Sequence, residues 1–295
     1  MVYSVGIDAG SAAVKVLAFG EDRPLAWIKE ATSPDISGQC AGLVARLLSD
    51  RALCGGERGR VCATGYGRRL VPEAGTSVSE IMAAALGAGW MWRHWEGLAH
   101  VFGEAPHPAA RPEAFRTILD IGGQDTKVIT FTPEHIVDRF AMNDRCAAGT
   151  GRFLEVMARV LEEDLTQLDE LAAHAGPPAR ISSACTVFAE SEVISLLSEG
   201  MGKGEVAAGI FQSVAERMVG LVHQVGLREP VMLTGGGALS KAMRQALERA
   251  LDCQVAVPPC AEFTTALGAA IYAEQEDAGA QQVRTRTDRS VARPR

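Results

Sequence analysis

The chain has 295 residues, a formal net charge of −7, and 47% hydrophobic against 22% charged residues. That length favours two domains of ordinary size, or one two-lobed unit, over a single small core, and the acidic balance argues against a nucleic-acid backbone as a general partner. No apolar run reaches the roughly 18 residues a membrane span requires, and the opening "VYSVGID" lacks the basic segment and apolar core of a secretory leader. The expected location is therefore the cytoplasm, with no membrane partner. The seven cysteines, Cys40, Cys54, Cys62, Cys146, Cys185, Cys253 and Cys260, are odd in number and form no CxxC, so reduced thiols are expected rather than a disulfide framework.

In chain order, "YSVGIDAGSAAVKVLAFG" reads as a strand, a Gly-rich turn and a second strand. Residues 36–53 read as a helix with Leu43, Leu47 and Leu48 on one side. "RVCATGYG" is a strand entering a glycine turn, which makes Cys62 a core filler, and "VSEIMAAALGAGW" (78–90) is a helix of small residues. Residues 93–116, with Pro106, Pro108 and Pro112, read as a surface loop or insertion. "RTILDIGGQDTKVITF" repeats the opening hairpin. Three amphipathic helices follow: "GRFLEVMARVLEED" with Phe153, Met157, Val160 and Leu161 on one face; "TVFAESEVISLLSEG"; and "EVAAGIFQSVAERMVGLVHQVG" with Val206, Ile210, Val214, Met218, Leu221 and Val225 in register. "PVMLTGGGALS" is a strand, a triple glycine and a helix start; "FTTALGAAIYA" (263–273) is a second small-residue helix. The tail from Glu274 lacks periodicity and reads as disordered. The expected organisation is a first lobe over 1–88, an insertion over 89–116, a second lobe over 117–262, a connecting helix over 263–273 and a tail over 274–295.

One phrase is written twice. "DAGSAAVK" (8–15) and "DIGGQDTK" (120–127) both read Asp-x-Gly, four residues, Lys. The repeat predicts two similar α/β halves facing each other across a cleft. Glycine turns expose backbone N–H groups, and an adjacent Asp can hold a metal through water. Asp8 and Asp120 would then share a Mg²⁺ ion. Gly10, Ser11, Gly122 and Gly123 would line the phosphates of a nucleotide, with Lys15 in the same binding set, and Gln124 or Asp125 would orient an attacking water. The alternative is two ordinary hairpins with turn-favouring residues; the doubling, and a third glycine turn at Gly235, Gly236 and Gly237, favours nucleotide binding. Lys203 in "GMGKGE" lacks the Ser/Thr of a P-loop, and "GYGRRL" and "GTGRFL" lack the third glycine of a dinucleotide fingerprint. The single asparagine of the chain, Asn143, stands in "MNDRCAAGTGRF", where a compositional drift towards arginine leaves few such residues.

The order of hairpin, small-residue helix, second hairpin, "TGGG" and small-residue helix resembles the actin-like ATPase superfamily. That resemblance implies a duplicated actin-like (ribonuclease H-like) α/β ATPase fold, two lobes around a nucleotide cleft, with Gly235, Gly236 and Gly237 packed on the adenosine. "SEIMAAALGAG" and "TTALGAAIYA" look like its connecting helices; they are a hinge, an Ala-rich buried pair, or both. Glu80 would face the cleft near the metal, or serve as a helix-start carboxylate favoured by the dipole.

"ATGYGR", "DIGGQDTKVI", "MNDRCAAGTGRFLEVMA" and "SSACTVFAESEVISLLSEG" resemble, more narrowly, the activator ATPases of 2-hydroxyacyl-CoA dehydratases and the ATPase subunits of benzoyl-CoA reductases, over roughly residues 3–273. The resemblance implies a homodimer or homologous heterodimer sharing one 4Fe–4S cluster, with Cys146 and Cys185 as ligands. It also implies ATP with Mg²⁺, a ferredoxin- or flavodoxin-type electron donor, and an iron–sulfur partner enzyme acting on a CoA thioester. On chemistry alone the two cysteines precede helices, where thiolates are favoured, and two chains would supply the four thiolates a cluster needs; the competing reading is small residues capping helices. Two departures stand out: residues 82–85 are "MAAA" where many relatives carry a Cys–His pair, and the 93–116 segment and the tail are longer than in the short activators, which leans towards a reductase subunit. A sugar-kinase-like phosphotransferase and a non-catalytic ATP-binding switch are the other functions this fold would carry. The phosphotransferase gives the cysteines no role.

Overall fold

Each Asp–Gly phrase forms a β-hairpin, and each hairpin founds a five-stranded sheet of the same topology. The computed structural model describes residues 1–103, 111–183 and 185–291, from 278 onward as backbone alone. Pro106 and Pro108 lie outside the described residues. The chain divides into two units, Met1–Trp90 with Phe263–Arg295, and Met91–Glu262.

The first unit begins with β1 (Val2–Ala9), β2 (Ala13–Gly20) and β3 (Arg23–Ala31), followed by α1 (Ile36–Leu48), β4 (Glu57–Thr64), β5 (Thr76–Ser77) and α2 (Glu80–Arg93). Its sheet runs β3-β2-β1-β4-β5, with β1 antiparallel to β2 and parallel to β4. Buried on both faces, β1 reads as a nearly continuous apolar run rather than an alternation. Helix α1 starts where the Asp35 carboxylate accepts from the Gly38 N–H at 2.9 Å. It buries Cys40, Leu43, Val44 and Leu47 and ends at Leu48, short of the expected 53, because Asp50 caps a separate 3₁₀ turn.

The second unit carries α3 (Trp95–Phe102), β6 (Thr117–Ile121), β7 (Thr126–Phe131), β8 (Val137–Asn143), α4 (Gly151–Val160), α5 (Leu165–Ala173), α6 (Thr186–Ser198), α7 (Lys203–Val225), β9 (Val231–Thr234), α8 (Lys241–Leu251) and β10 (Val255–Ala256). Its sheet order is β10-β9-β6-β7-β8, the first sheet's order strand for strand when read from β8. The hairpin is again antiparallel, and the inner pair β6/β9 is again parallel. The units differ in their connections: between the fourth and fifth strands the second has α8 and the first no α-helix. Between its third and fourth strands the first unit has the single helix α1, and the second has α4 to α7. Both candidate cysteines lie within that expansion.

Two segments differ from expectation. The stretch read as a loop from 93 begins with α3, which buries Trp95, Leu98, Ala99 and Phe102 at helical spacing; the prolines lie beyond it and do not interrupt it. The segment from Glu274 continues α9 (Thr264–Val291), a first-unit helix that packs on β1, β2 and β4. Glu, Gln, Ala and Arg are good helix formers without any apolar period, and Asp277 anchors the helix by accepting from the Arg60 backbone N–H at 2.8 Å and its Nε at 2.7 Å. Among the described residues, no helix is long and apolar enough to cross a membrane.

Candidate functional site

The spacing of the repeated phrase is a register. In the first hairpin Asp8 pairs across the strands with Lys15, and in the second Asp120 pairs with Lys127. Directly opposed residues share a face of the sheet, so each carboxylate meets its lysine: Lys15 Nζ lies 2.9 Å from Asp8 Oδ2, and Lys127 Nζ lies 3.3 Å from Asp120 Oδ1. Lys127 also reaches Asp125 Oδ2 at 2.8 Å, which binds the end of the strand to its turn. Both aspartates are buried, at 6% and 4% exposure, so each anion sits at low dielectric with a compensating cation. Lys127 was not among the sequence candidates; the doubled lysine of the phrase was the signal for it.

Each aspartate also has a threonine beside it on the parallel strand, Thr64 next to Asp8 and Thr234 next to Asp120. Thr234 Oγ1 donates to Asp120 Oδ2 at 2.8 Å. The buried Thr64 hydroxyl has no hydrogen-bond partner among the described residues. A hydrated cation or a phosphate beside Asp8 would supply one, which fits the proposed Mg–nucleotide.

In the second unit the structure gathers most of the candidates at one corner. The Gly122 N–H donates to the Asp125 carbonyl at 2.8 Å and closes the turn. Gly235, at φ +80°, lies so close to the end of β6 that a Cβ there would stand 2.6 Å from the Ile121 carbonyl oxygen and 3.0 Å from Asp120 Oδ2. The third glycine turn, with Gly236 and Gly237, therefore adjoins Asp120. Gln124 is exposed on the turn. Asp8, Gly10, Ser11 and Lys15 lie together on the hairpin of the other unit, and Glu80 opens α2.

Of the seven thiols, Cys54, Cys146 and Cys185 are exposed and Cys40, Cys62 and Cys260 are buried. Burial pushes Cys40, Cys62 and Cys253 up to about 11. The Cys146 loop is held by the lone asparagine: Asn143 Nδ2 donates to the Cys146 carbonyl at 2.9 Å and the Ala148 carbonyl at 3.2 Å, while Asn143 Oδ1 accepts from the Cys146 N–H at 3.2 Å. The loop then enters α4, whose first N–H groups do not go to solvent. Gly151 donates to the Gly122 carbonyl at 2.9 Å and Arg152 to the Gly123 carbonyl at 2.7 Å. The candidate phosphate turn and the helix that follows Cys146 are thus joined directly.

Cys185 stands at the N-cap of α6 but makes no side-chain cap bond, and Thr150 rather than Cys146 is the N-cap of α4. Neither thiol is acting as a cap. The Cys185 loop is clamped by Glu192, which accepts from Ser182 N and Oγ, each at 2.8 Å, and from Ser183 N at 2.9 Å. Burial disfavours the Glu192 charge, but the bonds from both serines outweigh it and hold this carboxyl down at about 2. Arg217, on α7, donates to the Ser183 carbonyl at 2.8 Å. Sequence reasoning singled out neither Glu192 nor Arg217. In each, an ordinary helix-face charge becomes specific only through its tertiary partners.

A cluster fits this ligand set in two respects. Cys146 and Cys185 are both exposed, open to a shared ion, and a four-thiolate set would draw its other two ligands from a second chain. The Thr186 hydroxyl, beside Cys185, is buried without a hydrogen-bond partner among the described residues, and a bound anionic sulfur would accept from it.

The family described as the BadF/BadG/BcrA/BcrD ATPase family matches residues 106–273. The chain is 39% identical over 279 residues to the (R)-2-hydroxyglutaryl-CoA dehydratase activating ATPase of Acidaminococcus fermentans, covering 94% of this chain and 99% of that protein. The crystal structure of component A of that dehydratase matches the fold with a TM-score of 0.81 at 38% identity, over 94% of this chain and 100% of that one. The activator of the 2-hydroxyisocaproyl-CoA dehydratase from Clostridium difficile, solved with bound ADPNP, matches with a TM-score of 0.82 at 34% identity, over 95% and 97%. A benzoyl-CoA reductase subunit of Thauera aromatica is 30% identical over 283 residues, covering 92% and 93%. The fold is the duplicated actin-like ATPase fold, and the chain belongs to the BadF/BadG/BcrA/BcrD ATPase family.

Proposed function

We propose that this chain is an ATP-hydrolysing activator that delivers a low-potential electron to an iron–sulfur enzyme acting on a CoA thioester. The observation that carries the reading is the pair of hydrogen bonds from Gly151 and Arg152 to the Gly122–Gly123 turn. A nucleotide seated on that turn shifts the start of α4, and with it the loop that holds Cys146. The C. difficile activator binds an ATP analogue, and the same role here falls to the glycine turns. Asp8 and Asp120 hold the Mg²⁺ of the nucleotide, with Lys15 and Lys127 as their counter-ions; Gly10, Ser11, Gly122 and Gly123 line the phosphates, Gly235 to Gly237 meet the adenosine, Gln124 or Asp125 positions water, and Glu80 flanks the metal. Cys146 and Cys185 of two chains hold one 4Fe–4S cluster, which supplies one-electron chemistry when bound.

The surface supports a paired assembly. Helix α6, which begins next to Cys185, leaves Val187, Phe188 and Ile194 exposed at 67%, 69% and 53%. Covering that face with a homologous chain buries it and completes the ligand set. Identity of 39% to a dehydratase activator against 30% to a reductase subunit favours the activator over the reductase subunit towards which the longer loop and tail leaned. The donor is a small ferredoxin- or flavodoxin-type protein of the cytoplasm. The sugar-kinase reading leaves both held thiols without a role.

Anaerobic purification tests this. The wild-type chain should be brown, with about four irons per dimer. Cys146→Ser or Cys185→Ser should be colourless with ATP binding retained, and Asp120→Asn should hold the cluster but lose ATP turnover by about 100-fold or more. A colourless wild type, or full iron in Cys146→Ser, overturns the cluster assignment; wild-type turnover in Asp120→Asn removes Asp120 from the nucleotide site.

A further inference from the structure

Arg217 touches both cysteine loops. It leaves the middle of α7 and is braced by its own helix, Nη1 donating to Ser213 O at 2.9 Å and to Ser213 Oγ at 3.1 Å. Its Nη2 donates to the carbonyl of Ser183, in the Cys185 loop, at 2.8 Å. Its guanidinium lies over the Phe153 ring of α4, 5.3 Å from the centroid. Its methylenes line Gly149, in the Cys146 loop, where a Cβ would stand 3.1 Å from Arg217 Cδ and 3.3 Å from Cβ. Gly149 holds φ +91°, a conformation that an L side chain rarely adopts, so the loop is shaped to let the arginine stem pass.

We propose that Arg217 is a positioning residue for the cluster: it sets the separation of the Cys146 and Cys185 loops, and its fixed positive charge raises the cluster's reduction potential. The inference rests on the cluster reading above and assigns a role to a residue that holds no iron. The geometry demands arginine. Only a planar fork can bond Ser213 and Ser183 from separate nitrogens while its face stacks on Phe153. The same placement carries a charge argument. Reduction adds an electron to an already anionic centre, and a cation that bonds the Ser183 carbonyl, two residues from Cys185, and lies against Gly149, three residues from Cys146, favours the reduced state. Burial lowers the Arg217 pKa, and the Cys146 and Glu216 charges oppose that effect; a guanidinium nonetheless keeps its proton across the working pH range.

Arg217→Lys and Arg217→Gln separate the two roles. In the cluster-loaded dimer, both variants should release iron to a chelator about tenfold faster than wild type, because each loses the charge-assisted bond that holds the Ser183 loop. Redox titration followed by electron paramagnetic resonance should show a more negative midpoint in Arg217→Gln and a midpoint near wild type in Arg217→Lys, which keeps the charge. In the cluster-free chain, the Ser182 and Ser183 amides should exchange with solvent faster in both variants. Wild-type iron release, potential and exchange in folded Arg217→Lys and Arg217→Gln, measured beside a wild type that holds its cluster, overturn the role of Arg217 alone. A wild type without iron overturns this proposal together with the cluster reading. If Arg217→Gln does not fold, the lysine variant decides, and wild-type iron release and amide exchange in it overturn the positioning role.

Discussion

Replacing Gly268 with alanine should destabilise the first unit severely, although alanine is the better helix former. In the structure α2 and α9 cross with backbone against backbone. A Cβ on Gly268 would lie 1.7 Å from the Ala83 carbonyl oxygen, 2.6 Å from its carbon and 2.8 Å from Gly87 N. A carbon meets a carbonyl oxygen comfortably at about 3.3 Å, so the overlap is about 1.6 Å. No side chain can rotate away, because every obstructing atom is backbone, and the helices must part. A gap of only ~0.5–1 Å forfeits a quarter to a half of the dispersion attraction of the atoms lining it, and those here include buried Ala83, Ala266, Ala269 and Ala270. Overpacking costs about 1–3 kcal/mol, and a forced separation of two helices lies at or above the top of that range. The propensity gain of alanine returns about 1 kcal/mol. A net loss of about 2 kcal/mol or more lowers Tm by at least about 4–8 °C for a domain of this size. Thermal melts of the full chain by circular dichroism read this directly, and Gly87→Ala, with a Cβ 1.9 Å from the Thr264 carbonyl oxygen, should match. A Gly268→Ala melt at or above wild type would refute the close crossing.

Gly220, inside α7, is the opposite case, since nothing lies within 4 Å of the point where a methyl group would stand: Gly220→Ala should raise stability by up to about 1 kcal/mol in the same melts. In the cluster-free chain at neutral pH, maleimide should label Cys54, Cys146 and Cys185, while Cys40, Cys62 and Cys253, pushed up to about 11, and buried Cys260 should label only after denaturation; peptide mass spectrometry counts them. Glu192 is held at about 2 in the folded chain against 4.5 as its ordinary value, so its stabilising effect is complete above about 4.5 and fades as pH falls towards 2. The Tm difference between wild type and Glu192→Gln should therefore shrink across that window, and a difference independent of pH would contradict the clamp.

The parts of this molecule that the sequence exposed are those whose physics is local. An antiparallel hairpin places its opposed residues on one face, so the repeated Asp and Lys spacing announced both the strands and the paired charges. Helix α7 was legible because its apolar period is long and unbroken, every named position from Val206 to Val225 being buried. The third strands were not legible. β8 leaves most of its residues exposed at a sheet edge, so no alternation marks it. Helix α3 was obscured by prolines that lie after it, not within it.

The cysteine loops show the other limit. Asn143 stood out only by its rarity, yet the reason for it is chemical: its amide is both donor and acceptor, and it satisfies a carbonyl and an N–H of the same residue, Cys146. Arg217 and Glu192 carry no such mark, because their partners lie on other elements. The duplication itself explains where these residues had to be. Two copies of one sheet give two carboxylate–lysine pairs, one in each unit. The thiols cannot be symmetric, since only the second copy expanded the connection between its third and fourth strands. That expansion starts from a helix whose first N–H groups are spent on the Gly122–Gly123 carbonyls. Within the second unit, a continuous run of contacts therefore leads from the turn to α4, across Phe153 to Arg217, and from Arg217 to the Ser183 carbonyl, so one turn is linked to both cysteine loops.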